Sequence, residues 1–210
     1  MNKNSQKIRK MTGIAIFTAV TVALAFFGNY ITFGPVSINL ALIAIAVGAC
    51  IYGPVAGLFL GMVDGAIIMI APSTLTAFMP YNPWATVIVC LVKTGAAGLA
   101  AGFIYKGLSH IQALNNSKWG WVKCLITSIA IPVINTGLFI AGAELWFVEV
   151  YGGGKDAMKA IITSCLTINF VIEMVTVVVL SPAVHGIVKY ATNRLLDNNE
   201  ENDEVEETSY

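Results

Sequence analysis

Long apolar stretches constrain this chain more than any other feature of its sequence. The hydrocarbon core of a bilayer is about 30 Å thick and needs roughly 20 apolar residues per helix. Six stretches of the 210-residue chain meet or approach that length, at residues 12–30, 38–52, 54–70, 84–105, 122–143 and 160–188. We therefore expect an all-α membrane protein, built as a compact bundle of six transmembrane helices.

The composition excludes an ordinary soluble domain. Charged residues make up 11% of the chain, against about one-quarter in soluble proteins. Twelve acids balance twelve Lys and Arg residues, but seven of those acids lie in the last fourteen residues. This tail has few apolar residues to bury, so we expect residues 191–210 to be an acidic, disordered segment. The zero net charge gives no support to nucleic-acid binding, and we expect no such partner.

The positions of the basic residues predict the orientation of the bundle. Residues 1–10 carry four cations, and more lie between the fourth and fifth stretches and after the sixth. In a six-span protein these segments are all on one side. The opposite loops 31–37 and 71–83 have no Lys or Arg, although the loop 144–159 carries two lysines. Because cations are enriched in cytoplasmic loops, we expect 1–10 to be a basic cytoplasmic segment, 11–190 the membrane domain, and both termini cytoplasmic.

Ionisable residues inside the apolar stretches are the sharpest functional signal. Such groups are costly near the bilayer centre and usually face the bundle interior or a wet cavity. Asp64, Lys93 and Glu173 lie in the third, fourth and sixth stretches, and Asn135 and Asn169 add amides at similar depth. Asn169 and Glu173 are four residues apart and share a helix face. These side chains are candidates for one polar pocket, or else Lys93 pairs with Asp64 or Glu173 as a structural ion pair.

The start of the fourth stretch holds two further candidates, Asn82 and Trp84. An aromatic ring here is suited to stack on a planar or bulky solute. Trp84 fits the aromatic belt at the membrane interface equally well. The preceding loop 71–83 is apolar and uncharged, so it is suited to fold over a site, and this favours Asn82 as a ligand contact.

Small residues recur at four-residue spacing and predict close helix approach. The first stretch carries Ala15, Ala19 and Ala23 on one face. On spacing alone, packing within the same bundle explains this face. Internal packing is also the expected role of the glycines in the third and fourth stretches, Gly57, Gly61, Gly65, Gly98 and Gly102.

Motifs of catalytic sites are missing from the sequence. It contains no HExxH, GxSxG or Walker loop, and no acid cluster of the kind that holds a metal. The cysteines at 50, 90, 124 and 165 form no CxxC pair and no His-containing ligand set, so we expect free thiols and no metal. We expect no cofactor and no enzymatic activity, although an intramembrane enzyme with Glu173 or Asp64 as general base stays open as an alternative.

Three short motifs resemble those of the S components of energy-coupling factor (ECF) transporters, small six-helix membrane proteins with cytoplasmic termini. The motifs are the face formed by Ala15, Ala19 and Ala23, the pair Asn39-Leu40 that opens a short second helix, and residues 52–57 (YGPVAG) followed by Gly61 and Gly65. Size and hydropathy pattern agree over residues 7–190.

The resemblance implies a function in import across a bacterial cell membrane. S components bind a vitamin or other micronutrient outside the cell and dock on a transmembrane coupling protein driven by two cytoplasmic ATPases. In that family the Ala-rich face of the first helix is the docking surface, which implies that role for Ala15, Ala19 and Ala23. The chain is then the substrate-binding subunit of an ECF-type ABC importer.

The residues expected to bind the substrate are those in and beside the membrane stretches: Asn39, Asp64, Asn82, Trp84, Lys93, Asn135, Asn169 and Glu173. Lys93 suits a carboxylate or phosphate and favours an anionic vitamin such as pantothenate, unless Asp64 or Glu173 neutralises it first. A competing hypothesis is a standalone proton-coupled secondary transporter in which the two acids relay protons. The lack of an evident inverted repeat disfavours it.

Overall fold

The computed structural model describes residues 3–33, 36–111, 114, 119–147 and 168–191. Seven helices account for nearly all of these residues: α1 Lys3–Asn29, α2 Ala41–Tyr52, α3 Pro54–Met69, α4 Pro72–Ala77, α5 Pro83–Ser109, α6 Gly120–Trp146 and α7, described over Ile168–Ala191. Between α1 and α2, strands β1 (Thr32–Phe33) and β2 (Val36–Ser37) pair antiparallel. The acidic tail beyond 191, the start of the sixth predicted stretch and most of the loop 144–159 lie outside the described residues.

Each predicted apolar stretch contains a helix, as the sequence predicts. Among the described helices, α1, α5, α6 and α7 are long and apolar enough to cross a membrane. The chain is therefore an all-helical, multi-pass membrane protein with four candidate spans. Helices α2 and α3 have only 12 and 16 residues, fewer than the roughly 20 that a straight crossing needs.

The short helices α2 and α3 form a tight hairpin. Their connection is the single residue Gly53, whose φ of 91° lies in the left-handed region that side chains other than glycine rarely adopt. Pro54 then starts α3, where the missing N–H of proline has no helical partner to lose. The Gly-Pro pair therefore ends one helix and starts the next without a loop.

Helix α2 lies at the centre of the bundle. It contacts α1, α3, α5 and α6, and nine of its twelve residues are buried. The central packing cluster includes Leu42 and Ile45 of α2, Leu60 of α3 and Ile131 of α6. A helix surrounded on all sides has no polar face, which is why the sequence of α2 is uniformly apolar despite its short length.

Helices α3 and α5 pack backbone to backbone through their glycines. A Cβ atom at Gly61 would stand 2.7 Å from the carbonyl carbon of Thr94, and one at Gly98 would stand 2.7 Å from that of Gly57. One at Gly65 would stand 2.6 Å from the Cys90 carbonyl oxygen. Each distance is too short for any side chain, so the internal packing role predicted for these glycines is confirmed.

The loop 71–83 contains a helix that the sequence does not predict. Helix α4 and the turn after it connect α3 to α5, with Thr74 and Phe78 buried. The ring of Phe78 meets those of Phe139 and Phe147 edge-on, with centroids 5.5 and 5.4 Å apart. These contacts seat the segment on the bundle, over the ends of α5 and α6.

Candidate functional site

A cavity lies at one end of the bundle, beneath the α4 segment. With the open space at its mouth included, it measures about 740 Å³. It is lined by the C-terminal ends of α1, α3 and α6, by the start of α2, and by the N-terminal parts of α5 and α7. The polar lining residues are Asn29, Asn39, Asp64, Ser73, Thr74, Thr86, Lys93, Asn135, Thr136, Asn169 and Glu173.

Asn39 organises two acids of the cavity. Its Nδ2 donates to Asp64 Oδ2 at 2.6 Å, and its backbone N–H donates to Glu173 Oε1 at 3.1 Å. Its Oδ1 accepts from the Ala41 N–H at 3.1 Å, one of the helix-start donors that have no partner within α2. Asn39 therefore ties the start of α2 to the acids of α3 and α7.

Helix α7 brings a second amide to the same acid. Asn169 Nδ2 donates to Glu173 Oε1 at 3.0 Å, which is the contact that four-residue helical spacing allows. Asp64 is fully buried and Glu173 is 3% exposed. Each carboxylate has one hydrogen-bonded oxygen. The other oxygen, Asp64 Oδ1 or Glu173 Oε2, is buried and has no partner within the described ranges.

Lys93 enters the cavity from α5 and is half-buried. Its Nζ lies 4.8 Å from the centroid of the Phe139 ring, a cation–π contact. Among the described residues, no carboxylate oxygen comes within 4.0 Å of it. The structural ion pair with Asp64 or Glu173 that the sequence left open is therefore not formed, and the ammonium keeps its donors for another partner.

The structure brings six of the eight predicted binding residues to the cavity and places two elsewhere. Asn39, Asp64, Lys93, Asn135, Asn169 and Glu173 all line it. Asn82 and Trp84 are not among its described lining residues. The Asn82 side chain instead accepts the Ala85 N–H at 3.1 Å, which caps α5, because Asn is a strong helix-capping residue. Trp84 is 80% exposed, as expected for the aromatic belt.

Several lining residues were not among the predicted ones. Thr86 and Cys90 precede Lys93 by seven and three residues, and Phe139 follows Asn135 by four. Helical spacing from the two polar positions would have identified all three. Phe78 and Phe147, which form an aromatic wall together with Phe139, gave no such signal, because they lie beyond the helix ends.

The alanine face of α1 points away from the bundle. Ala15, Ala19 and Ala23 are all exposed, whereas Thr21 and Ala25 on the other side of α1 are buried. Packing inside the bundle, the role that spacing alone suggested for these alanines, is therefore wrong for the described residues. A smooth exposed face of this kind is suited to close approach of another helix.

The thiols lie apart from the cavity, with one exception. Cys90 lines it, while Cys50 and Cys124 are buried at the other end of the bundle, where Cys124 Sγ lies 3.7 Å from His185 Nδ1. All three are free, and Cys165 lies outside the described residues. Within the described ranges, no group of three or more His, Cys, Asp or Glu residues is arranged to hold a metal.

Comparison with known protein families shows a match over most of the chain. The family model described as "ECF transporter, substrate-specific component" matches residues 9–188, which run from the first turns of α1 almost to the end of α7. No curated protein matches the chain.

Proposed function

The chain belongs to the family of ECF transporter substrate-specific components, and on that premise we propose that it captures a water-soluble vitamin or related micronutrient outside a bacterial cell. It then delivers the solute through an ATP-driven partner complex made of a transmembrane coupling protein and two ATPases. The family is a substrate-binding component of a transporter and not an enzyme. The chain is thus the substrate-binding subunit of an ECF-type ABC importer, located in the cell membrane.

One observation carries this proposal: a cavity with buried, unpaired polar atoms sits at one end of the bundle. Asp64 Oδ1 and Glu173 Oε2 have no partner in the part of the chain that the structure describes, although polar groups buried in folded proteins are normally hydrogen-bonded. Leaving them unpaired is costly unless a ligand supplies the missing bonds. A site left incomplete in this way supports a binding role.

The charge distribution supports an outward-facing cavity. The cavity lies at the ends of α1, α3 and α6 and at the starts of α5 and α7. Lys93 lies in the cavity. Six other cations of the described helices stand at the opposite end: Lys7, Arg9, Lys10, Lys106, Lys123 and Lys189. Since cationic ends face the cytoplasm, the cavity would face outward. With α2 and α3 entering the bilayer as a pair, this proposal includes six membrane helices and cytoplasmic termini.

The exposed alanine face of α1 is the proposed docking surface for the coupling protein. Its three side chains are small and exposed, so another helix can approach the α1 backbone closely. A bulky residue at Ala19 would hold the two helices apart. We expect Ala19→Trp to bind solute normally but to lose at least 90% of uptake and to lose copurification with the ATPase complex. The matched control is Val179→Trp, at an exposed position of α7; unchanged uptake in Ala19→Trp would refute the docking role.

The function is tested by ligand identification. The full chain is purified in detergent after growth in rich medium and denatured, and released molecules are identified by mass spectrometry. A stoichiometric vitamin supports the proposal. An empty protein whose melting temperature no vitamin raises contradicts it. Uptake that collapses with a protonophore at constant ATP would instead favour the proton-coupled secondary transporter.

A further inference from the structure

Four buried oxygen atoms of the cavity have no hydrogen-bond partner among the described residues. They belong to Asp64 (Oδ1), Asn135 (Oδ1), Asn169 (Oδ1) and Glu173 (Oε2), residues that are at most 5% exposed. All four residues line the same cavity. Because buried acceptors are normally paired, their convergence indicates a ligand that supplies hydrogen-bond donors.

The hydrogen-bonding character of these atoms is one-sided. A carboxylate in its ionised form accepts hydrogen bonds and donates none, so the unpaired oxygens of Asp64 and Glu173 are acceptors when these acids are ionised. The orientation of the Asn169 amide is set by its own bond, because Nδ2 donates to Glu173 Oε1 and Oδ1 is then the unpaired atom. Three of the four acceptors are therefore independent of how an amide group is turned.

Lys93 gives the cavity a second, opposite requirement. An ammonium has three donors and no acceptor, and the partner that the structure provides for it is the face of Phe139. With no carboxylate of the described residues within 4.0 Å, its donors call for an oxygen or other acceptor on the ligand. A ligand that satisfies the cavity thus has a donor edge and, separately, an acceptor group.

The walls between these polar groups favour a flat ring. Phe78, Phe139 and Phe147 all line the cavity and meet each other edge-on around Phe78. Aromatic side chains pack favourably against the face or edge of another ring. A saturated, flexible solute has no aromatic ring to pack against these three side chains.

Building on the proposed function, we propose that the captured solute is a planar nitrogen heteroaromatic that presents amino and N–H donors to Asp64 and Glu173 and an acceptor to Lys93. Aminopyrimidines and aminopteridinones have this chemistry. An anionic, non-aromatic solute such as pantothenate would satisfy Lys93 and has hydroxyl and amide donors, but it has no ring to pack against the aromatic wall and would bring a carboxylate near two others. The substrate class suggested by Lys93 alone is thus replaced in this proposal by one set by the unpaired atoms together with the aromatic wall.

Matched ligand pairs test the proposal. In thiamine and oxythiamine, and in pterin and lumazine, one ring amino group is exchanged for a carbonyl. The full-length chain in detergent is titrated with each compound and with pantothenate and biotin by calorimetry. We expect at least one amino compound to bind at least tenfold more tightly than its oxo counterpart, because the exchange turns a donor into an acceptor that faces a carboxylate.

Variants assign the preference to the acids. Asp64→Asn should weaken binding of the amino compound at least tenfold and reduce its advantage over the oxo compound. If that variant does not fold, Glu173→Gln measures the same effect. Glu144→Gln, which removes an exposed acid of α6 outside the cavity lining, should leave both affinities within twofold.

The outcomes separate the two proposals. Three outcomes would overturn the substrate class and leave solute capture intact. The chain binds pantothenate or biotin but not the amino rings, or it binds both members of each pair equally. In the third outcome, the released solute has no amino-substituted heteroaromatic ring. A released solute that has such a ring supports the class even if no compound of the panel binds. A protein that neither releases nor binds any solute would overturn the capture function itself.

Discussion

Replacing Asn39 with alanine should damage both the stability and the binding site of this protein. The change removes the amide that donates to Asp64 Oδ2 at 2.6 Å and accepts from the Ala41 N–H at 3.1 Å. It keeps the backbone bond to Glu173, because that bond uses the main-chain N–H. Asp64 has no exposed surface in the folded chain, so the loss of this donor leaves its carboxylate with fewer hydrogen bonds unless water enters from the cavity.

The size of the effect follows from these two bonds. A hydrogen bond to a charged group contributes about 1.5–3 kcal/mol, and a neutral one about 1 kcal/mol. Asn39→Ala should therefore lower the free energy of unfolding by roughly 2.5–4 kcal/mol. At about 2–4 °C per kcal/mol for a chain of this size, the melting temperature should fall by roughly 5–15 °C.

The assay is thermal unfolding in detergent, followed by solute titration of the folded fraction. Asn39→Asp is the informative partner variant, because it keeps an oxygen for the Ala41 N–H but places a carboxylate against Asp64. We expect it to be destabilised at neutral pH and to recover as the pH falls, when a protonated carboxyl can donate again. An Asn39→Ala protein that melts within about 1 °C of wild type would refute the reasoning.

Two further predictions concern the scaffold. Gly61→Ala should lower the free energy of unfolding by about 1–3 kcal/mol through overpacking against the α5 backbone. The same change at Gly107, where nothing lies within 4 Å, should raise the free energy of unfolding by about 0.5–1 kcal/mol. Equal effects of the two changes in thermal unfolding would contradict the glycine contacts. Asn82→Ala should lower the free energy of unfolding by about 1 kcal/mol because a helix cap is lost, and Asn82→Asp should keep the cap and the stability. If Asn82→Ala lowers solute affinity and leaves the melting temperature unchanged, the result would instead support the ligand contact predicted from the sequence.

Much of the fold was predictable because membrane helices are specified by long apolar runs. Lipid leaves backbone groups no partner outside the chain, so such runs form helices. The Gly53-Pro54 hairpin and the glycine contacts of α3 were also predictable, because they depend on residue types at short sequence spacing. Helix α4 was not, because a six-residue helix owes its stability to packing, here of Thr74 and Phe78 against other segments.

The site was predictable in its polar members and not in its contacts. Asp64, Lys93 and Glu173 stand out because charge at membrane depth is costly. Whether Lys93 pairs with an acid depends on distances between helices far apart in sequence, and the side chain lies over Phe139 instead. The role of Asn82 could not be predicted for a related reason: the same amide suits a ligand contact and a helix cap, and only the structure shows that its oxygen accepts the Ala85 N–H.

The ligand chemistry of such a cavity depends on unpaired atoms more than on charges. The cavity contains one cation and two acids, and Lys93 taken alone favours an anionic solute. Pairing shows that Asn39 and Asn169 occupy only one oxygen of each acid, so the oxygens that remain unpaired are acceptors. A solute with donors forms hydrogen bonds with those atoms and removes the free-energy cost of leaving them unpaired. The difference in free energy between the empty and the occupied site contributes to the binding affinity of a substrate-binding subunit.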